Sequence, residues 1–270
     1  MTPAEKAWLV AQAGDAPTAS ALRAVAGAGR AGRLSCPHEP LRLDGIGVWV
    51  NPHNAYASLE TYIELFRDRA HSKVGGFPPD DRAVVVDVGA NEGFYTLFVK
   101  RHCPQARVIA IEPDPVAFAV LERNVLGNAL EDVVLVNKAI APQRGPVPFV
   151  SVPIAPMLSG TAMREARWMA APGAIERIQV DALTLDDVFE EYGLDRIDLM
   201  KIDAEGAEDA ILASAASLAR CRRIVVEYHS RRAYDAVRRI ASSGFDVVRD
   251  EREAEQSTCG DLYLLRRGSG

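Results

Sequence analysis

No apolar run reaches the 18 or so residues a helix needs to cross a bilayer, so a membrane-spanning segment is excluded. Cysteine is scarce. Cys36, Cys103, Cys221 and Cys259 are scattered and form no C-x-x-C pair, which argues against a disulfide framework or zinc site and for reduced thiols in a cytoplasmic protein. A basic footprint is missing too: 31 Lys and Arg stand against 37 Asp and Glu, so no nucleic-acid partner is expected. The opening M-T-P-A-E-K-A-W-L-V-A-Q-A-G-D lacks the charged start and long apolar core of a signal peptide. The closing R-R-G-S-G reads as a flexible tail. There is no internal repeat and no low-complexity tract. What remains is a chain of 270 residues, 48% hydrophobic and 25% charged, able to bury a full-sized core.

Residues 3 to 30 are rich in Ala, with Trp8, Leu9, Val10, Leu22 and Val25 at helical spacings, and Gly14, Asp15 and Pro17 split them into two short helices. L41-R-L-D-G-I-G-V-W-V50 reads as a hairpin turning at D-G. The stretch from Asn54 to Ala70 carries a helical stripe of Leu59, Tyr62, Ile63 and Phe66, and residues 73–81 form a turn-rich linker. From residue 84 strands (84–88, 107–112, 133–137, 197–202, 223–228, 245–249) alternate with helices (93–102, 115–127, 184–192, 206–218, 231–242). This rhythm predicts an α/β fold with a mostly parallel sheet covered on both faces. The division expected is an N-terminal extension at 1–80, a lid or an oligomerisation element, and a ligand-binding domain at 81–268. An insert at about 150–175 interrupts the domain, and the run V-P-F-V-S-V-P from Val147 to Pro153 reads as an extra strand.

The stretch V84-V-V-D-V-G-A-N-E-G-F-Y-T96 runs from a strand into a glycine loop. A dinucleotide fingerprint, G-x-G-x-x-G, needs a middle glycine that Gly89-Ala-Asn-Glu-Gly93 does not have, and no G-K-[ST] follows for a phosphate loop. Asp87, just before the loop, suits a ligand that presents a cation. Glu112 ends the next strand, where a carboxylate can accept both hydroxyls of a ribose. A ribose with a cationic amino-acid end and no required pyrophosphate describes S-adenosylmethionine better than a nicotinamide cofactor. The plainer alternative is that both glycines only tighten a strand-to-helix turn.

Two further strand ends are acidic. In R196-I-D-L-M-K-I-D-A-E-G-A-E-D-A-I-L212, Asp203 and Glu205 stand where open α/β sheets bind ligands. Glu208 and Asp209 fall in a first helical turn, where negative charge is favourable anyway, and read as surface residues. I224-V-V-E-Y-H229 adds Glu227 and His229 on the same rim. A single histidine at a strand end is commonly structural, but its company of acids favours a role here. His38, His53, His71 and His102 have no such context at the strand ends.

V85-V-D-V-G-A-N-E-G, I111-E-P-D-P, V136-N-K-A-I, T184-L-D-D and K201-I-D-A-E-G-A-E, in this order over about residues 80–250, resemble the FkbM-type S-adenosylmethionine-dependent methyltransferases. The resemblance implies a class I methyltransferase (Rossmann-like) fold with a seven-stranded sheet whose last strand, D261-L-Y-L-L-R266, runs antiparallel. It also implies O-methylation of a sugar or secondary metabolite. Matched position by position, Asp87, Gly89, Asn91 and Gly93 would form the loop under the methionine end, flanked by Ala90, Phe94, Tyr95 and Pro113. Glu112 would hold the ribose, Asn137 would lie near the adenine, and Asp203 would face the methionine end. Glu205, Glu227 and His229 would lie nearer the acceptor.

Methyl transfer to an alcohol gains from a base that removes the proton, worth roughly 10²–10⁴-fold. His229 is the first candidate and Glu205 the second, with Glu227 beside them. No metal is required by this reading, although Asp203, Glu205 and Glu227 offer an alternative Mg²⁺ site. Tyr56, Tyr62, Phe66, Arg67 and His71 are candidates for an acceptor pocket, with Tyr62 and Phe66 equally readable as core. Met157, Ser159, Arg164 and Trp168 are lid candidates. The partner expected is a hydroxylated small molecule, and a homodimer through the N-terminal helices is left open. N- or C-methylation and a non-catalytic cofactor-binding module are the competing functions.

Overall fold

The computed structural model describes residues 1–29, 34, 39–51, 54–73, 80–152, 159–160, 175–214, 216–252 and 259–268. Helix α1 (Pro3–Ala11) starts with a capping box, in which the Thr2 hydroxyl accepts from the Glu5 N–H and the Glu5 carboxylate accepts from the Thr2 N–H. Asp15 caps α2 (Ala16–Ala28), so the break expected at Gly14–Pro17 is a change of helix. β1 (Leu41–Leu43) and β2 (Ile46–Val48) form the hairpin, turning through Asp44 and Gly45, both at positive φ. α3 (Ala55–Phe66) follows, capped by Asn54.

The elements that build the main sheet come next. They are β3 (Val84–Val88), α4 (Phe94–His102), β4 (Arg107–Ile111), α5 (Pro115–Gly127) and β5 (Val133–Val136). The chain then forms β6 (Ala139–Ile140), β7 (Gly145–Ser151) and β8 (Glu176–Leu183), followed by α6 (Leu185–Glu191) and β9 (Leu199–Ile202). After α7 (Glu208–Ser214) come β10 (Arg223–Tyr228), α8 (Arg231–Ser242), β11 (Phe245–Arg252) and β12 (Gly260–Arg266). The seven-stranded sheet has the order β11-β12-β10-β9-β3-β4-β5. β10, β9, β3, β4 and β5 are mutually parallel, and β12 is antiparallel to both its neighbours. That is the class I methyltransferase architecture.

Strand alternation divides the core. Val86, Val88, Ile109, Ile111, Met200, Ile202 and Val226 pack on one face with Val188, Phe189, Ile211 and Val237 from the helices. Val85, Val108, Leu199, Val225 and Tyr263 pack on the other with Leu9, Leu22, Leu59, Tyr62 and Phe98. The N-terminal extension therefore shares one of the two core layers, packing on α4 through Tyr62 and Phe66 against Phe94 and Phe98. Tyr62 and Phe66 stack at 4.3 Å between ring centroids and belong to this core.

Two segments depart from expectation. The helix expected over 206–218 begins only at Glu208 and gives way to a 3₁₀ turn at Ala216–Arg220. Glu205 and Gly206 have φ of 49° and 101°, which no right-handed helix accommodates. β8 is also unforeseen. It pairs with β7 and β6 in a separate three-stranded sheet, with exposed Arg177, Gln179 and Asp181 alternating with Ile178, Val180 and Ala182, a period-two signal that the expected strands left out. His38, His53, Met157, Arg164 and Trp168 lie outside the described residues.

Candidate active site

The chain adds β4 and β5 on one side of β3, then returns to place β9 and β10 on the other. The carboxyl ends of β3 and β9 therefore flank a topological switch point, the position at which open α/β sheets bind ligands. A cleft of about 810 Å³ opens there, near the upper end of the roughly 300–1,000 Å³ usual for ligand pockets.

On the β3–β4 side the loop is shaped by the main chain. The Gly89 and Ala90 N–H groups donate to the Ile111 carbonyl, and Gly93 donates to Ala90. Gly89 has φ of 72°, and a Cβ there would lie 1.7 Å from the Asp203 carbonyl oxygen. Gly93 has φ of 83°, and a Cβ would meet a Leu121 methyl at 2.5 Å. Both glycines are thus demanded by packing within the chain, as in the plainer alternative. The ligand argument rests instead on Glu112, which is buried against the cleft and accepts the Asn91 N–H on one carboxylate oxygen and the Asp114 N–H on the other, each at 2.7 Å. Each oxygen keeps a lone pair for a further donor, so the carboxylate fits a ribose diol. Burial, only partly offset by these two N–H groups, pushes its pKa up to about 8.

Gly89, Ala90, Asn91, Phe94, Tyr95, Glu112, Pro113 and Asp203 line the cleft. Asp87, Gly93 and Asn137 are not among its lining residues. Asp87, expected to meet a cationic ligand, is fully buried instead, accepting from the Thr96 hydroxyl at 2.8 Å and lying 3.7 Å from the Lys201 ammonium. Lys201 also donates to the Gly89 carbonyl at 2.8 Å and to Asp203 at 3.2 Å, joining the two sides of the switch point. Asn137 is exposed, and its amide donates to the Glu112 and Pro113 carbonyls. Glu92 is a lining residue that the sequence did not single out. It is buried, accepts from the Ser58 hydroxyl and the Asn51 N–H, and is pushed up to about 7 by burial.

On the β9–β10 side the side chains carry charge. Glu205 and Glu227 line the cleft together with His71 and with Glu60 and Glu64 on α3. Tyr56, Tyr62, Phe66 and Arg67 do not line it. His229 lies beside the cleft, its Nε2 at 3.6 Å from Glu205, 3.6 Å from Glu227 and 3.8 Å from Asp203. Its Nδ1 is 3.0 Å from Glu208, which corrects the surface reading of that residue: Glu208 is fully buried and also accepts from the Gly206 and Ala204 N–H groups. Burial opposes a charge on the His229 ring, but the surrounding carboxylates outweigh it and push its pKa up to about 12. A ring that keeps its proton at neutral pH is a poor acceptor for another, which weighs against His229 as the base. Glu205 is pushed up to about 8, first by burial and then by the neighbouring Asp203 charge.

His71, read in the sequence only as a pocket candidate and not as a member of the rim, lies 3.6 Å from Glu227 and 3.3 Å from Asp261. Glu227 and Asp261 face each other directly across β10 and β12, an unfavourable pairing of like charges that a charged His71 offsets. Burial opposes that charge, and the two carboxylates overcome it, so the His71 pKa is raised.

No described helix is long and apolar enough to cross a membrane. The Methyltransferase FkbM domain model matches residues 87–253. Methyltransferase sdnD of Sordaria araneosa is 32% identical over 221 residues, covering 71% of this chain and 83% of its own length. The 31-O-demethyl-FK506 methyltransferase FkbM of Streptomyces tacrolimicus is 31% identical over 259 residues, covering 86% and 98%. The 2-O-methyltransferase NoeI of Sinorhizobium fredii is 28% identical over 184 residues, covering 62% and 72%. With the fold, the cleft at the switch point and a domain match across more than half of its length, the chain belongs to the FkbM family of S-adenosylmethionine-dependent methyltransferases.

Proposed function

We infer that the chain is an O-methyltransferase that methylates a hydroxyl group of a small molecule. The observation that carries this reading is one cleft lined on one side by a buried, diol-competent carboxyl group, Glu112, and on the other by the carboxyl groups of Asp203, Glu205 and Glu227. Two of the relatives carry O-methyl transfer in their names, 31-O-demethyl-FK506 methyltransferase and 2-O-methyltransferase, which supports a hydroxyl acceptor.

When bound, S-adenosylmethionine supplies an electrophilic methyl group on a sulfonium. The chain's residues bind, align and manage one proton. Glu112 accepts the ribose hydroxyls on its remaining lone pairs, and Gly89, Ala90 and Asn91 form the floor under the amino-acid end. Glu227 is the group that takes the acceptor's proton. It faces the cleft, with each oxygen in an ion pair at 3.6 Å, one to His71 and the other to His229, and each oxygen keeps a lone pair for a hydroxyl.

Calorimetric titration with S-adenosylhomocysteine tests the cofactor half. Micromolar binding by the wild type is expected, weakened about tenfold in Glu112→Ala, which removes the partner of two ribose hydroxyls at roughly 0.5–1.5 kcal/mol each. A folded wild-type protein that fails to bind would sink the reading.

A further inference from the structure

We propose that the outer face of α5 pairs with the same face of a second copy of this chain, in an antiparallel two-fold contact anchored by Trp49 and Leu126. Neither residue lines the cleft, so the inference stands apart from the acceptor reading. It places self-association on α5 and not on the N-terminal helices.

An aromatic ring fixed at the surface carries the first part of the argument. Trp49 follows directly after β2 and is half-buried. Its N–H donates to the Asn124 side-chain oxygen at 2.8 Å, and its carbonyl accepts from the Asn124 amide at 2.9 Å. Gly127 makes room for the indole, since a Cβ there would lie 2.1 Å from the ring. Trp49 and Leu126 line one shallow groove of about 400 Å³ with Glu122, Arg123 and Gly127. Leu126, at 68% exposure, is the most exposed large apolar side chain among the described residues. A tryptophan already held in place, next to an exposed leucine, is the kind of anchor on which interfaces are built.

The order of residues along the helix says what covers that groove. Ala119, Glu122, Arg123 and Leu126 fall on one helical stripe, and all four are exposed. Glu122 and Arg123 form no ion pair with any described residue, and no opposite charge stands three or four positions from either. Ala119 is three positions before Glu122, and Leu126 three after Arg123. A second α5 laid antiparallel about the midpoint of Glu122 and Arg123 therefore sets each Glu122 against the partner's Arg123. It also sets each Leu126 against the partner's Ala119. Charge meets opposite charge and a large side chain meets a small one, twice over, as an isologous contact requires. A foreign partner would have to supply that arrangement, whereas a second copy carries it already. One helix pair flanked by two indoles belongs among small interfaces, under about 1,200 Å² in all, so a micromolar dissociation constant is expected.

The test is sedimentation velocity on the whole chain from about 1 to 200 μM, with no ligand added. A monomer–dimer equilibrium is expected for the wild type, and Leu126→Glu should be monomeric throughout. Glu122→Arg and Arg123→Glu, each setting like charges face to face, should each weaken association at least about tenfold. Combining the two restores opposite charges, and the double variant should return to within about threefold of the wild type. The wild-type series needs no substitution, so a misfolded variant leaves it readable. A wild type still monomeric at about 200 μM overturns the proposal. So does a dimer that Leu126→Glu leaves intact, which would put the contact elsewhere, or a double variant that associates no more tightly than either single one.

Discussion

The side of the cleft at β3 and β4 is held by main-chain groups. Glu112 rests on two N–H donors, the loop hangs from the Ile111 carbonyl, and the glycines are there because the chain packs against them. The β9–β10 side is held by charge. Asp203, Glu205, Glu208, Glu227 and Asp261 face Lys201, His71 and His229, which come from three separate stretches of the chain. Main-chain geometry fixes a shape that one shared cofactor can use. A charge cluster fixes a potential, and potentials can be retuned by single substitutions to suit different acceptors.

Lys201 stands where the two constructions meet, so its loss should break the contrast most severely. Lys201→Met leaves Asp87 buried without its cation and should cost about 3–5 kcal/mol, read from urea denaturation at neutral pH. Stability unchanged within 1 kcal/mol would mean that Asp87 needs no partner. Gly89→Ala comes next. Its Cβ has no room against the Asp203 carbonyl, and the left-handed backbone adds strain, so a loss of about 3 kcal/mol or more is expected. Gly93→Ala meets only a flexible Leu121 side chain and should cost less, roughly 1–2 kcal/mol, in the same measurement. An equal loss in both would show that backbone strain alone, rather than contact with Asp203, sets the requirement.

A pH-dependent effect of similar size concerns Glu92, which ties the loop to Ser58 and Asn51. Burial raises its folded pKa to about 7 from 4.5. Its contribution to stability is therefore complete below pH 4.5 and is lost as the pH climbs through about 7. In Glu92→Gln the fall in stability between pH 5 and pH 7.5 should shrink by about 2 kcal/mol. Identical pH profiles for variant and wild type would exclude Glu92 as the source.

The same contrast explains what could be read from sequence. The glycine loop, Glu112 and the strand rhythm follow from local patterns, and the structure has them at the switch point. Asp87 misled because its position at a strand end says nothing of the lysine, more than a hundred residues further along the chain, that it faces. Lys201 did leave a signal: it is the one charged residue in L-M-K-I, a strand buried at every position. Glu208 was hidden by a sound local rule, since an acid in a first helical turn explains itself without a partner. Asp261 was hidden by direction. Because β12 runs antiparallel, its beginning lies on the active rim, where a search of strand ends does not look. His71 had only its place before the first cofactor strand to suggest it, because its partners are brought to it by tertiary packing.

That antiparallel strand also sets an order of assembly. β11 touches the sheet only through β12, so it has no neighbour in the sheet until residues beyond it have been made and have slipped between it and β10. The arrival of β12 also delivers Asp261 to His71, from the opposite end of the chain. A nascent chain paused before Gly260 would expose the open edge of β10, the kind of edge that recruits other strands. Vectorial synthesis thus leaves the β10–β12 side of the cleft to be finished last, more than a hundred residues after β3, β4 and the loop between them have been made.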